Sequence, residues 1–198
     1  MSSQPALDAD QIAALFTRDG DYLAARWGRP VAPVIFGLAD ESLDIFRGAL
    51  KAAYAHAGHP IVETDPEIGA NLMMFFCREW DELAEIPDFD QLTGQPDLIA
   101  RLKQQHADYY QIFRFDPDGS IRACLVFVRM GGALADAHPA QLAETLAMRT
   151  MLTFAQQVTA TAPLAQVIRA AYDPVMPAVA HDQSHALRLV ARGAAANC

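Results

Sequence analysis

The chain has 198 residues, 52% of them hydrophobic, and a formal net charge of −9. A chain of this size and apolar content can bury a core without a disulfide or a metal to staple it. With no run of Lys or Arg to break the acidic balance, it lacks the clustered cations needed to grip phosphates, which excludes nucleic acid and anionic membrane as partners.

In chain order, LDADQIAALF reads as a short helix capped by Asp8 or Asp10. GDYLAARWG follows as one or two further helical turns closing at Gly28. Val31–Phe36 reads as a strand, with Pro33 marking an edge or a bulge. The clearest helix is DESLDIFRGALKAAYAHAG, where Leu43, Phe46, Leu50, Ala53, Tyr54 and Ala57 recur at three-to-four spacing, Asp40 caps and Gly58 stops. IGANLMMFFC is an apolar run of strand length, placed near the sheet centre. REWDELAEI is a short helix or turn, and a helix over about residues 96–107 follows a loop.

Two alternating segments flank Asp116-Pro117-Asp118-Gly119 in YYQIFRFDPDGSIRACLVFVR, which is the chemistry of a β-hairpin. MGG at 130–132 opens a lid or plain connection, since no GK[ST] or GxGxxG accompanies it. HPAQLAETLAMRTMLTFAQQVTA reads as one long helix with Pro139 in its first turn. APLAQVIRAAY and HDQSHALRLVARG supply two more helices. The expected architecture is α+β: a mixed sheet of about four strands, combining a parallel crossover with an antiparallel hairpin, packed by long helices on one face. The whole chain, 1–198, is expected to form a single domain. A helical segment (1–28), an α+β core (29–160) and a helical C-terminal extension (161–198) follow one another.

Three cysteines stand far apart, Cys77, Cys124 and Cys198, with no CxxC spacing, so they read as reduced thiols, the first two buried in apolar runs. The opening MSSQPALDADQ has neither a basic nor an apolar signal region, and no apolar stretch approaches the ~20 residues of a membrane span. A cytoplasmic location is the expectation.

HDQSH (181–185) has two histidines four apart around an acidic residue. On a helix, His181 and His185 would share a face as metal ligands, with Asp182 at the position of a general base. A third ligand is then needed, and the candidates are Cys198, Asp173, His138 and Glu144. The competing reading is an exposed polar helix start with Asp182 favourable near the positive end. On the helix opening at Pro139, His138, Gln141, Glu144 and Arg149 are candidates for a polar cleft, against a plain solvated face. No GxSxG elbow is present, and nothing suggests an activated thiol.

RWGRPVAPVIFG, a long helix ending AHAGHPI, GANLMMFF, SIRACLVFV and QLAETLAM occur in an order and flavour similar to a family of uncharacterised bacterial proteins with a zincin-like fold. The resemblance covers roughly residues 26–155. In that family the metal helix often carries E-E-L-x-Q-x-L-G in place of HExxH. Gln141, Leu142, Glu144 and Leu146 match loosely, and Ala147 replaces the glycine. The resemblance implies a metalloprotease-like scaffold whose metal centre has been lost. The expectation is a non-catalytic binding or assembly protein without a cofactor. Its partner would be a protein or a second copy, reached through the small residues near Ala170 and Ala171. The alternatives are a metal-dependent hydrolase built on His181 and His185, and a metal-free ligand cleft near Glu144.

Overall fold

The computed structural model of the chain describes residues 5–195. Helix α1 (Ala9–Phe16) opens on a capping box: Asp8 Oδ1 accepts the Gln11 N–H at 2.8 Å, and Gln11 returns the bond to the Asp8 N–H. The next segment is extended rather than helical. Strands β1 (Thr17–Arg18) and β2 (Asp21–Tyr22) pair antiparallel around Asp19-Gly20, whose φ angles are 54° and 91°. An Asp-Gly pair with both φ positive is the favoured two-residue hairpin turn. Strand β3 (Ala24–Ala25) follows, and Arg26 and Trp27 form single bridges to Leu152 and Ile121.

Strand β4 (Pro33–Phe36), helix α2 (Asp40–His56) and strand β5 (Leu72–Cys77) form the crossover, with β4 and β5 parallel. α2 ends two residues before Gly58, which sits at φ +69 as a left-handed terminator. A 3₁₀ segment (Trp80–Glu85) and the short helices α3 (Phe89–Thr93) and α4 (Leu98–Gln104) come next. Strands β6 (Tyr109–Phe115) and β7 (Ile121–Arg129) form the hairpin, and β7 runs parallel to β5. The four-stranded order is β4-β5-β7-β6, so Pro33 lies on one edge strand and β6 is the other. Helices α5 (Pro139–Arg149) and α6 (Ala162–Ala171), strand β8 (Val179–Ala180) and helix α7 (Ser184–Ala195) complete the chain, with β8 pairing with β3.

Both faces of the sheet are covered, not one. Leu72, Met74, Phe76, Cys124, Val126 and Val128 pack into the main core with α1, α2, α5, α6 and α7. Phe75, Leu125 and Phe127 meet Trp80, Leu83, Phe89, Leu98 and Leu102 in a second core on the opposite face. This follows from β5 and β7 being apolar at odd and even positions alike, which leaves no face for water.

The helix expected to run from 138 to 160 stops at Arg149. Past it, Thr153 engages Ala25: its N–H donates to the Ala25 carbonyl and its Oγ1 accepts the Ala25 N–H. Thr150 O takes the indole N–H of fully buried Trp27 at 2.8 Å. These distant partners outcompete another helical turn. The C-terminal part is woven into the main core, where Leu164, Val167, Ile168, Ala186 and Leu189 are buried. Ala170 and Ala171, expected to offer a close contact to a partner, are buried there as well. Their small side chains serve packing within the chain.

Candidate functional site

Helix α5 leaves the hairpin through Gly131 and Gly132, and the connection is pinned. The Met130 N–H donates to Cys77 O, the Gly131 N–H to Arg78 O, and the Ala133 N–H to Asp108 Oδ2. Along α5, spacings of three and four residues put His138, Gln141, Thr145 and Arg149 on one stripe. Ala140, Glu144 and Met148 fall on the next. The four residues expected to share a cleft are therefore divided. His138, Gln141 and Arg149 line a cleft of about 790 Å³ toward β6. Glu144 lines a separate cavity of about 560 Å³ between α2, α5 and α6, walled largely by alanines, with His56 and Thr161 as its other polar groups.

The α5–β6 cleft adjoins a second one of about 710 Å³, and both are lined by Tyr109, Tyr110, Arg149 and Gln157. The far wall of this second cleft includes Phe16, Asp19, Asp21 and Thr153, while β6 contributes Tyr109 through Phe113. The pairing register shows which main-chain groups of β6 face it. The Arg129 N–H donates to Asp108 O at 2.9 Å, which makes Asp108–Arg129 a hydrogen-bonded pair. Pairs alternate along an antiparallel ladder, so Tyr110, Ile112 and Arg114 bond to β7 while Tyr109, Gln111 and Phe113 turn their N–H and C=O groups outward. Among the described residues, those outward groups have no hydrogen-bond partner.

Arg149 stands where the two clefts meet. Its Nε donates to Val158 O at 2.7 Å, and its guanidinium lies 4.6 Å from the Tyr109 ring centroid. The Tyr109 hydroxyl donates to Gln111 Oε1, and Gln111 Nε2 donates to Arg149 O at 3.1 Å. The circuit fixes the ring, the amide and the arginine relative to one another. Burial lowers the Arg149 pKa, opposed by Tyr109, and drives the Tyr109 hydroxyl well above its ordinary value. Among the described residues Arg149 makes no ion pair, whereas Arg29, Arg129 and Arg192 each hold a carboxylate.

The structure separates the two histidines of HDQSH. His181 is exposed and precedes α7, which begins only at Ser184. Asp182 is occupied in the turn, accepting the Ser184 N–H at 2.7 Å. His185 is 5% exposed, and its Nδ1 lies 2.8 Å from the Tyr22 hydroxyl. Burial, aided by Arg188, lowers its pKa. The helical face that the pair would need does not exist, because the helix begins three residues after His181. Of the other candidate ligands, Asp173 is held by Arg192, His138 precedes α5 at the β6 cleft, and Cys198 lies outside the described residues. Among the described residues no three His, Cys, Asp or Glu side chains gather as a metal set. Cys77 and Cys124 are buried, and burial pushes both thiols up to about 12.

Gln111 and Gln157 are not singled out by the sequence pattern. The available signal was the strand YYQIFRF itself, whose free side shows only once it is known to lie at an edge. Compared with family models, curated proteins and solved structures, the chain matches none.

Proposed function

We propose that the protein is a non-catalytic binding or assembly protein on a degenerate metalloprotease-like scaffold, and that it takes an extended polypeptide along the outward edge of β6. The observation that carries this reading is the row of outward N–H and C=O groups on Tyr109, Gln111 and Phe113, facing a cleft walled by α5 and the 153–157 segment. An unpaired strand edge is a template for another chain: main-chain bonds supply affinity and flanking pockets supply specificity. The scaffold part of the proposal is supported by α5 following directly on the hairpin, where a zincin carries its metal helix. Here that helix presents Ala140, Gln141 and Glu144, which hold no imidazole between them.

The reading is tested by passing a random pool of acetylated hexapeptides over immobilised protein and measuring amide hydrogen exchange with and without the retained fraction. Retained peptides should slow exchange at Tyr109, Gln111 and Phe113. A pool that is retained no better than on a blank support, with exchange unchanged, rejects it.

A further inference from the structure

We infer that Arg149 is the docking point for a carboxylate on the bound chain, so that the site selects acidic peptides or free C-termini. This rests on the strand-edge reading above and adds to it the chemistry of the ligand. The argument begins from charge. The chain carries a net charge of −9, yet besides the tyrosines the ionisable lining of the α5–β6 cleft consists of His106, His138, Arg149 and a single carboxylate, Asp108. Asp108 is already committed. Its Oδ1 takes Arg129 Nε at 2.9 Å and Nη2 at 2.6 Å, and its Oδ2 takes the Ala133 N–H. Among the described residues Arg149 is therefore the one guanidinium lining this cleft, and it has no carboxylate partner.

A guanidinium offers five N–H donors in a planar fork. One is used on Val158 O, and the Nη1 and Nη2 donors have no partner among the described residues. Neither Nη atom is both buried and unsatisfied, so these donors reach the cleft. The Tyr109 ring beneath and the Val158 bond fix the plane of the fork before any ligand arrives. A preorganised fork of this kind matches the two oxygens of a carboxylate. The neighbouring cleft carries Arg18, Asp19 and Asp21 on its far wall, and those two acids disfavour an anion there. The charge pattern thus sets a polarity, with the acidic group of the ligand at the Arg149 end.

The experiment uses the full chain and four probes: hexapeptide pools with a free C-terminus but no Asp or Glu, amidated pools containing Asp or Glu, amidated neutral pools, and glutarate alone. Retention on immobilised protein is quantified by mass spectrometry. At least one acid-bearing pool should be retained about tenfold or more above the neutral pool. The acid preference should vanish in Arg149→Gln and partly return in Arg149→Lys, each checked by near-ultraviolet circular dichroism. Equal retention of acidic and neutral pools by the unmodified protein overturns the inference while leaving the strand-edge reading intact. So does an acid preference that survives in natively folded Arg149→Gln. Retention of no pool removes both. Glutarate distinguishes the source of the carboxylate: it should bind more weakly than the acid-bearing peptides, and equal binding overturns the peptide source.

Discussion

Asn71 joins three parts of the frame that sets β4 against β5. Its side chain is fully buried, its Oδ1 accepts the Ala32 N–H at 2.7 Å, and its Nδ2 donates to Pro30 O at 2.8 Å and Asp65 Oδ2 at 3.0 Å. Alanine at this position removes all three bonds. Asp65 retains the N–H groups of Glu67 and Ile68, so it loses least. The main costs are the Ala32 N–H and the Pro30 carbonyl, each left unpaired where a buried polar group loses about 1–3 kcal/mol. The expected destabilisation for Asn71→Ala is about 2–5 kcal/mol, a large share of the ~5–15 kcal/mol that keeps a domain folded. Urea unfolding at neutral pH, followed by tryptophan fluorescence, measures it. A loss below about 1 kcal/mol at unchanged slope would refute the view that this amide organises the parallel pair.

The remaining predictions concern pH, backbone and site. Burial, with Arg188 at His185 and with Arg26 at His59, lowers both histidine pKa values; at His59 a bond to Arg29 O opposes the shift. The unfolded chain then binds more protons, so this stability is complete above about pH 6.5 and is lost as the pH falls through the folded values. Urea midpoints should fall through that acid range, and His185→Gln should flatten part of the decline; a pH-independent midpoint would contradict it. Gly37 sits at φ +84, and a Cβ there would lie 1.9 Å from Phe76 O, so Gly37→Ala should cost at least about 1–3 kcal/mol from the backbone alone, read as a lowered Tm. Because Glu144 faces the other cavity, Glu144→Gln should leave peptide retention unchanged, while Gln141→Ala should weaken it about two- to tenfold.

Local chemistry made much of the fold readable from the sequence. Asp116-Pro117-Asp118-Gly119 announced the hairpin, the apolar run at 72–77 announced a central strand, and Pro33 pointed to an edge or a bulge, of which the edge is what the sheet order shows. What escaped was decided by distant partners. The 17–27 segment has helical-looking apolar spacing, yet Ala24 and Ala25 pair with Ala180 and Val179, residues far along the chain. The Asp19-Gly20 turn was the one local signal that argued for strands there. The α5 stripe brings His138, Gln141 and Arg149 to one cleft. Glu144 lines a different cavity, because the helix is wedged between the two and a step of three residues crosses from one to the other. In HDQSH the alternative of an exposed helix start is the reading closer to the structure at His181: a spacing of four implies a shared face only where both residues are helical, and His181 is not.

The central claim is that the outward edge of β6 receives a chain whose acidic group rests on Arg149. Residue-resolved hydrogen exchange in the presence of the retained acidic hexapeptides tests it most directly. The account predicts slowed exchange at the Tyr109, Gln111 and Phe113 amides, with the slowing on Arg149→Gln reduced to the level that neutral peptides produce. Slowing confined to residues of α2 and α6, or unchanged rates along β6, would contradict it.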